Sequence, residues 1–130
     1  MRLIKPEYVF FSAELSNMSS IDRVQATQTL KDILIKEHIE FLEVNGRYGG
    51  INERSLVVGM HRLPRIRELA RQFKQDSIML LFNDERVSLE YTSDGHKEAI
   101  GIFKEVSKEE ANQAHAYSEI VASKRFFIVN

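Results

Sequence analysis

The chain has 130 residues, 43% hydrophobic and 28% charged, with a net charge of −1. That balance fits one globular domain over residues 1–130 and excludes a disordered chain; its 18 basic and 19 acidic residues are interspersed without a basic stripe, which argues against a nucleic-acid partner. Cysteine is absent, so disulfides, thiolate catalysis and cysteine–zinc sites are excluded. A reducing compartment fits, and with no long apolar run in MRLIKPEY or elsewhere, a cytoplasmic protein without membrane association is expected.

Residues Glu7 to Ala13, EYVFFSA, are rich in strand formers and predict the first strand. Ser19 and Ser20 are N-cap candidates with Asp22 in the first turn, and the helix they open runs to about Lys36. Val24, Thr27, Leu30 and Leu34 recur at helical spacing and are expected in the core. Ile39 to Val44 alternates as a second strand. VNGRYGGINERS, Val44 to Ser55, reads as a glycine-rich loop. Arg54 to Met60 is a third strand, apolar enough to be central. Pro64 suits the first turn of a second helix, on which Ile66, Leu69, Ala70 and Phe73 form the clearest apolar stripe. Ser77 to Phe82 is a buried strand; Asn83 to Glu85 turn into Arg86 to Thr92; Asp94-Gly95 turns again into Ala99 to Val106. Ser107 to Ala116 opens as a short capped helix, and Arg125 to Val129 is the last strand.

The order strand, helix, strand, strand, helix, strand is that of a ferredoxin-like unit. It predicts an α+β fold: an antiparallel sheet with both helices on one face, extended by the C-terminal strands. Open edges on so small a sheet favour an oligomer that covers them.

Chemistry is sparse. His38, His61, His96 and His115 lack metal-ligand spacing, and no nucleophile elbow, Walker loop or dinucleotide fingerprint is present. Ser12 and Ser16 near a strand end have no evident base. The glycine stretch is the best candidate site. Gly46, Gly49 and Gly50 allow a ligand to approach the backbone, Tyr48 offers a ring face and a hydroxyl, and Glu53 a carboxylate at the rim of a pocket, a set suited to a cationic ligand. The competing reading is a plain hairpin turning at Asn45-Gly46 with a bulge at Gly49-Gly50. A second candidate is FKQDS, where Gln75 and Asp76 leave the helix for a buried strand and can point into a cleft.

SAELS, GRYGGINE, ARQFKQDS, IGIFKEVSK and the aromatic last strand, in this order, resemble the small bacteriophage S-adenosylmethionine lyases, formerly described as hydrolases. The likeness covers most of the chain, with GRYGG and GIFKEV the most suggestive stretches. It implies a homotrimer of ferredoxin-like, PII-like subunits with S-adenosylmethionine bound between them, and no metal or second cofactor. It assigns the family's tyrosine to Tyr48, its glutamine to Gln75 and its glutamate to Glu53, with Glu43 and Glu68 as the other candidates; Gly46, Gly49, Gly50 and Asp76 are the expected substrate contacts.

The reaction so implied needs few protein groups. The substrate's carboxylate attacks its own γ-carbon, a homoserine lactone closes, and the sulfonium leaves as methylthioadenosine. Holding that geometry can be worth roughly 7–11 kcal/mol in favourable cases. Loss of the methyl donor would protect a phage from host restriction and modification. The rival readings are a non-catalytic PII-like nucleotide-binding regulator and a stoichiometric inhibitor of a host enzyme.

Overall fold

A computed structural model describes residues 7–48 and 50–130. Eight strands appear in it: β1 (Tyr8–Phe11), β2 (Leu42–Tyr48), β3 (Ile51–Gly59), β4 (Ser77–Leu81), β5 (Arg86–Tyr91), β6 (Lys97–Val106), β7 (Ala116–Ile120) and β8 (Arg125–Val129). The helices are α1 (Ser20–Lys36), α2 (Leu63–Gln72) and α3 (Lys108–Gln113). The strands close into a barrel in the order β1-β3-β2-β7-β8-β6-β5-β4, with every pairing antiparallel.

This corrects the ferredoxin-like, PII-like expectation. The C-terminal strands do not extend an open sheet: β5, β6, β8 and β7 run from β4 round to β2 and seal the wall. Closure removes the free edges on which the argument for an edge-covering oligomer rested. The overlooked element is β7, assigned in part to the preceding helix. That helix ends at Gln113, and Ala116 already belongs to the strand. In β7 the buried side chains are Ser118 and Ile120. A serine at an inward position weakens the alternation by which a strand is recognised.

Closure also creates two cores. Outside the barrel, α1 and α2 cover β1, β3 and β4, and Leu30, Leu34, Ile66 and Leu69 pack on Val9, Phe11, Leu56, Val58, Ile78 and Leu80. Inside, Tyr8, Phe10, Val44, Val57, Leu81, Val87, Ile120 and Phe127 fill the barrel. Both faces of β1 and of Leu56–Val58 in β3 are therefore buried, which is why these segments are continuously apolar.

The helix termini follow ordinary cap chemistry. Ser19 Oγ accepts the Asp22 N–H at 3.1 Å, Pro64 lies in the first turn of α2, and Ser107 and Glu110 form a capping box on α3. Val24, expected in the core, is 50% exposed, and Ile21 and Ile35 on the same helix are also exposed; α1 thus carries a second apolar stripe pointing outward. No helix among the described residues is long and apolar enough to cross a membrane.

Candidate active site

The glycine stretch is not a loop. The β2–β3 ladder passes straight through it, pairing Asn45 with Arg54, Gly46 with Glu53 and Tyr48 with Ile51. The direction reverses at Gly50, whose φ of +83° suits glycine, and not at Asn45-Gly46 as the plain-hairpin reading had it; Gly49 lies outside the described residues. Along β2, Val44 and Gly46 are buried while Asn45 and Arg47 are exposed. The Tyr48 ring folds back over Gly46, and its hydroxyl lies 3.1 Å from Ser118 Oγ. Ser118 is the residue that β7 pairs with Gly46.

A Cβ at position 46 would fall 2.4–2.7 Å from the Tyr48 ring and hydroxyl. Gly46 thus makes room for the tyrosine. Gly46→Ala should push the ring off Ser118 and cut turnover several-fold. The unfolding midpoint in urea should barely move, because the displaced group is the end of a side chain at the barrel mouth. Parent-like turnover would remove this role from Gly46.

Glu53 faces Gly46 across the ladder and is half-buried; its Oε1 accepts from Ser55 Oγ at 3.4 Å. Burial raises the Glu53 carboxyl above the ordinary glutamate range, and the charge of Glu14 adds to this against the opposing effects of Ser55 and Arg23. Burial likewise raises the Tyr48 hydroxyl, which holds it neutral as a donor.

Gln75 arrives from the other side. Lys74 takes a left-handed conformation, φ +57°, and closes α2 as Lys74 N–H donates to Arg71 O and Gln75 N–H to Ala70 O. The turn brings Gln75 back over the end of β1, where its Nε2 donates to Glu14 O at 3.0 Å.

These three side chains line one cavity of about 370 Å³ at an end of the barrel, where β1, β2 and β8 end and β3, β4 and β7 begin. Its polar part carries Ser12, Tyr48, Glu53, Ser55, Gln75 and Ser118; its apolar part carries Phe10, Met79, Leu89, Ile100, Phe103 and Phe127. Phe103 stacks on Phe127 with centroids 4.7 Å apart, and Phe10 tilts against Phe103 at 5.7 Å.

Other expected contacts fall elsewhere. Asp76 is exposed and absent from the lining; its carbonyl accepts the Thr92 N–H at 3.0 Å. Gly50 is in the exposed turn. Glu43 is exposed and pairs with Lys31, and Glu68 is exposed on α2, so of the three candidate glutamates only Glu53 lines the cavity. Ser55 and Ser118 were not foreseen. Glu14 was overlooked as well, although a carboxylate embedded in FFSAEL is a signal that a buried charge needs partners. Among the described residues no three His, Asp or Glu side chains converge as a metal ligand set.

A cavity of this size, aromatic at one end and carrying a carboxylate, an amide and hydroxyls at the other, fits a small molecule with a flat apolar part and a charged part. The model of the S-adenosylmethionine lyase family matches residues 9–130, and the chain belongs to that family. It is an enzyme of the S-adenosylmethionine lyase class, which sets aside the non-catalytic regulator. No curated protein matches the chain.

Proposed function

We propose that the enzyme converts S-adenosylmethionine to methylthioadenosine and homoserine lactone in the cavity at the barrel mouth. One observation carries this reading: Tyr48, Glu53 and Gln75 share a cavity whose remaining wall is mainly aromatic and aliphatic with a few serines. The nucleoside lies against Phe10, Phe103 and Phe127, and the methionyl part lies among the polar groups. The Glu53 carboxylate faces the sulfonium and ammonium charges, while the Tyr48 hydroxyl and Gln75 amide hold the methionyl end folded. A substrate carboxylate oxygen attacks Cγ, the C–S bond breaks, and its electron pair neutralises the sulfonium. The attack needs no protein base, so catalysis is positioning and electrostatics in a water-poor site.

The protein acts as a homotrimer, with the mouth completed between subunits. The exposed apolar stripe of Ile21, Val24 and Ile35 on α1, with Ile51 beside the hairpin turn, supports a subunit contact. In the host cytoplasm the reaction depletes the methyl donor and counters restriction and modification.

The test is direct. Purified protein incubated with S-adenosylmethionine should release methylthioadenosine and homoserine lactone, resolved by chromatography and mass spectrometry. Homoserine appearing without prior lactone would replace ring closure by hydrolysis, and no turnover would sink the assignment. Light scattering should give three times the chain mass; a monomer at micromolar concentration would overturn the shared mouth.

A further inference from the structure

We propose that Glu14, which contributes nothing to the cavity lining, is a positioning residue of the reaction: its backbone holds the Gln75 amide, and its buried carboxylate, clamped by two guanidinium groups, one of them on the residue next to Glu53, is part of the charged surroundings of Glu53. The inference rests on Glu53 and Gln75 being site residues.

Glu14 follows β1 and is 4% exposed. Its Oε2 accepts from Arg54 Nη1 at 3.0 Å and lies 3.4 Å from Thr27 Oγ1, whose hydroxyl donates to Arg23 O at 2.9 Å. Its Oε1 is buried, faces Arg23 Nη1 at 3.6 Å and has no hydrogen-bond partner among the described residues. A buried carboxylate with one oxygen unsatisfied is costly unless cations offset it.

The backbone of the same residue holds the cavity wall. Its carbonyl accepts the Gln75 amide, and its N–H donates to Ser12 Oγ at 3.0 Å, which donates in turn to Arg54 O at 2.8 Å. Arg23 ties the cluster to its surroundings through Ser16 O at 3.1 Å and Met18 O at 3.3 Å. One residue thereby joins β1, α1, β3 and the end of α2 directly beneath the polar half of the cavity.

The electrostatic consequence has a sign. The charged and titratable groups around Glu53 are Glu14 on the β1–α1 connection, Arg23 on α1, Tyr48 on β2, Arg54 next to it on β3 and, across the outer groove, Tyr117 and Glu119 on β7. Glu14 opposes ionisation of Glu53, and Arg23 favours it. The Glu14 carboxylate is held in place by Arg54 and Arg23 and is itself buried.

The experiment is the pH dependence of kcat/KM for the full chain, with Glu14→Gln and Arg23→Gln beside the parent. Glu14→Gln keeps the backbone bond to Gln75 but removes a negative charge and frees both guanidinium groups, so the acid limb should move to lower pH. Arg23→Gln should move the limb to higher pH. A merely structural lesion lowers stability and leaves the limb in place. Limbs that stay put in both variants, or move the same way, overturn the proposal. If Glu14→Gln does not fold, Glu14→Asp takes its place, and a limb unmoved from the parent's overturns the proposal. Glu53→Gln separates this from the site assignment: parent-like activity in that variant removes Glu53 itself, whereas an impaired Glu53→Gln with unmoved limbs in the other two removes only the role of Glu14.

Discussion

Glu53→Gln should lower turnover at saturating S-adenosylmethionine by on the order of 10²-fold, the scale seen when one preorganised electrostatic group is removed from a site. The substrate brings a sulfonium and an ammonium. A carboxylate in a half-buried cleft interacts with such charges far more strongly than one in water. The amide keeps the shape and the bond from Ser55, so packing survives the loss of charge. Stability should move the other way. The folded-state carboxyl is raised above its unfolded value, so the stability Glu53 contributes is fully present below the unfolded value and is lost as pH rises through the folded one. At neutral pH the parent carries that deficit and the glutamine variant does not. Urea denaturation at neutral pH should therefore find Glu53→Gln at least as stable as the parent. The acid limb of kcat/KM in the parent should lie above the range of an ordinary glutamate, with the limb of kcat lower because bound cationic substrate favours the ionised form. Unchanged turnover would return Glu53 to the solvated-surface reading, in which exposed charges contribute little.

The same side chains explain what was legible in the sequence. Helices α1 and α2 were, because Ser19, Pro64 and the Ile66–Leu69–Ala70 stripe are local signals that tertiary context did not override. Strand β1 and the Ser55–Val58 part of β3 were, because a segment buried on both faces is largely apolar. Barrel closure was not. It depends on β7, whose inward Ser118 breaks the apolar alternation precisely where a polar group is useful to the cavity. Leaving β7 unassigned beyond Ala116 left β2 with a free edge, and the open sheet followed from that omission. At the site, GRYGG drew attention to residues that the fold gathers at the barrel mouth. Gly46 makes room for a tyrosine within its own strand, a close approach that spacing alone does not distinguish from room for a ligand. Glu14 stayed hidden because its burial arises from Arg23, Thr27 and Arg54, which are brought in from 9 to 40 positions away.

Tyr48→Phe should reduce turnover by at least about tenfold, with a stability loss near 1 kcal/mol for the missing hydrogen bond to Ser118. Two roles compete for the hydroxyl. In the structural role its work ends at Ser118 Oγ, and the ring is pinned over Gly46 for packing. In the catalytic role the bond to Ser118 orients a hydroxyl whose remaining capacity is directed at the methionyl end of the substrate. A double-mutant cycle with Ser118→Ala separates the two. If the hydroxyl serves Ser118 alone, both single variants and the double variant lose turnover equally, because each removes the same bond. If it also contacts substrate, Tyr48→Phe exceeds Ser118→Ala, and the excess persists in the double variant. The split between constants is informative too. A hydroxyl that holds the folded conformer needed for ring closure acts where the transition state is reached, so kcat should carry the loss and KM should change little. A loss confined to KM would reduce Tyr48 to a contact made equally with the ground state, and the positioning role would then rest on Gln75 and Glu53.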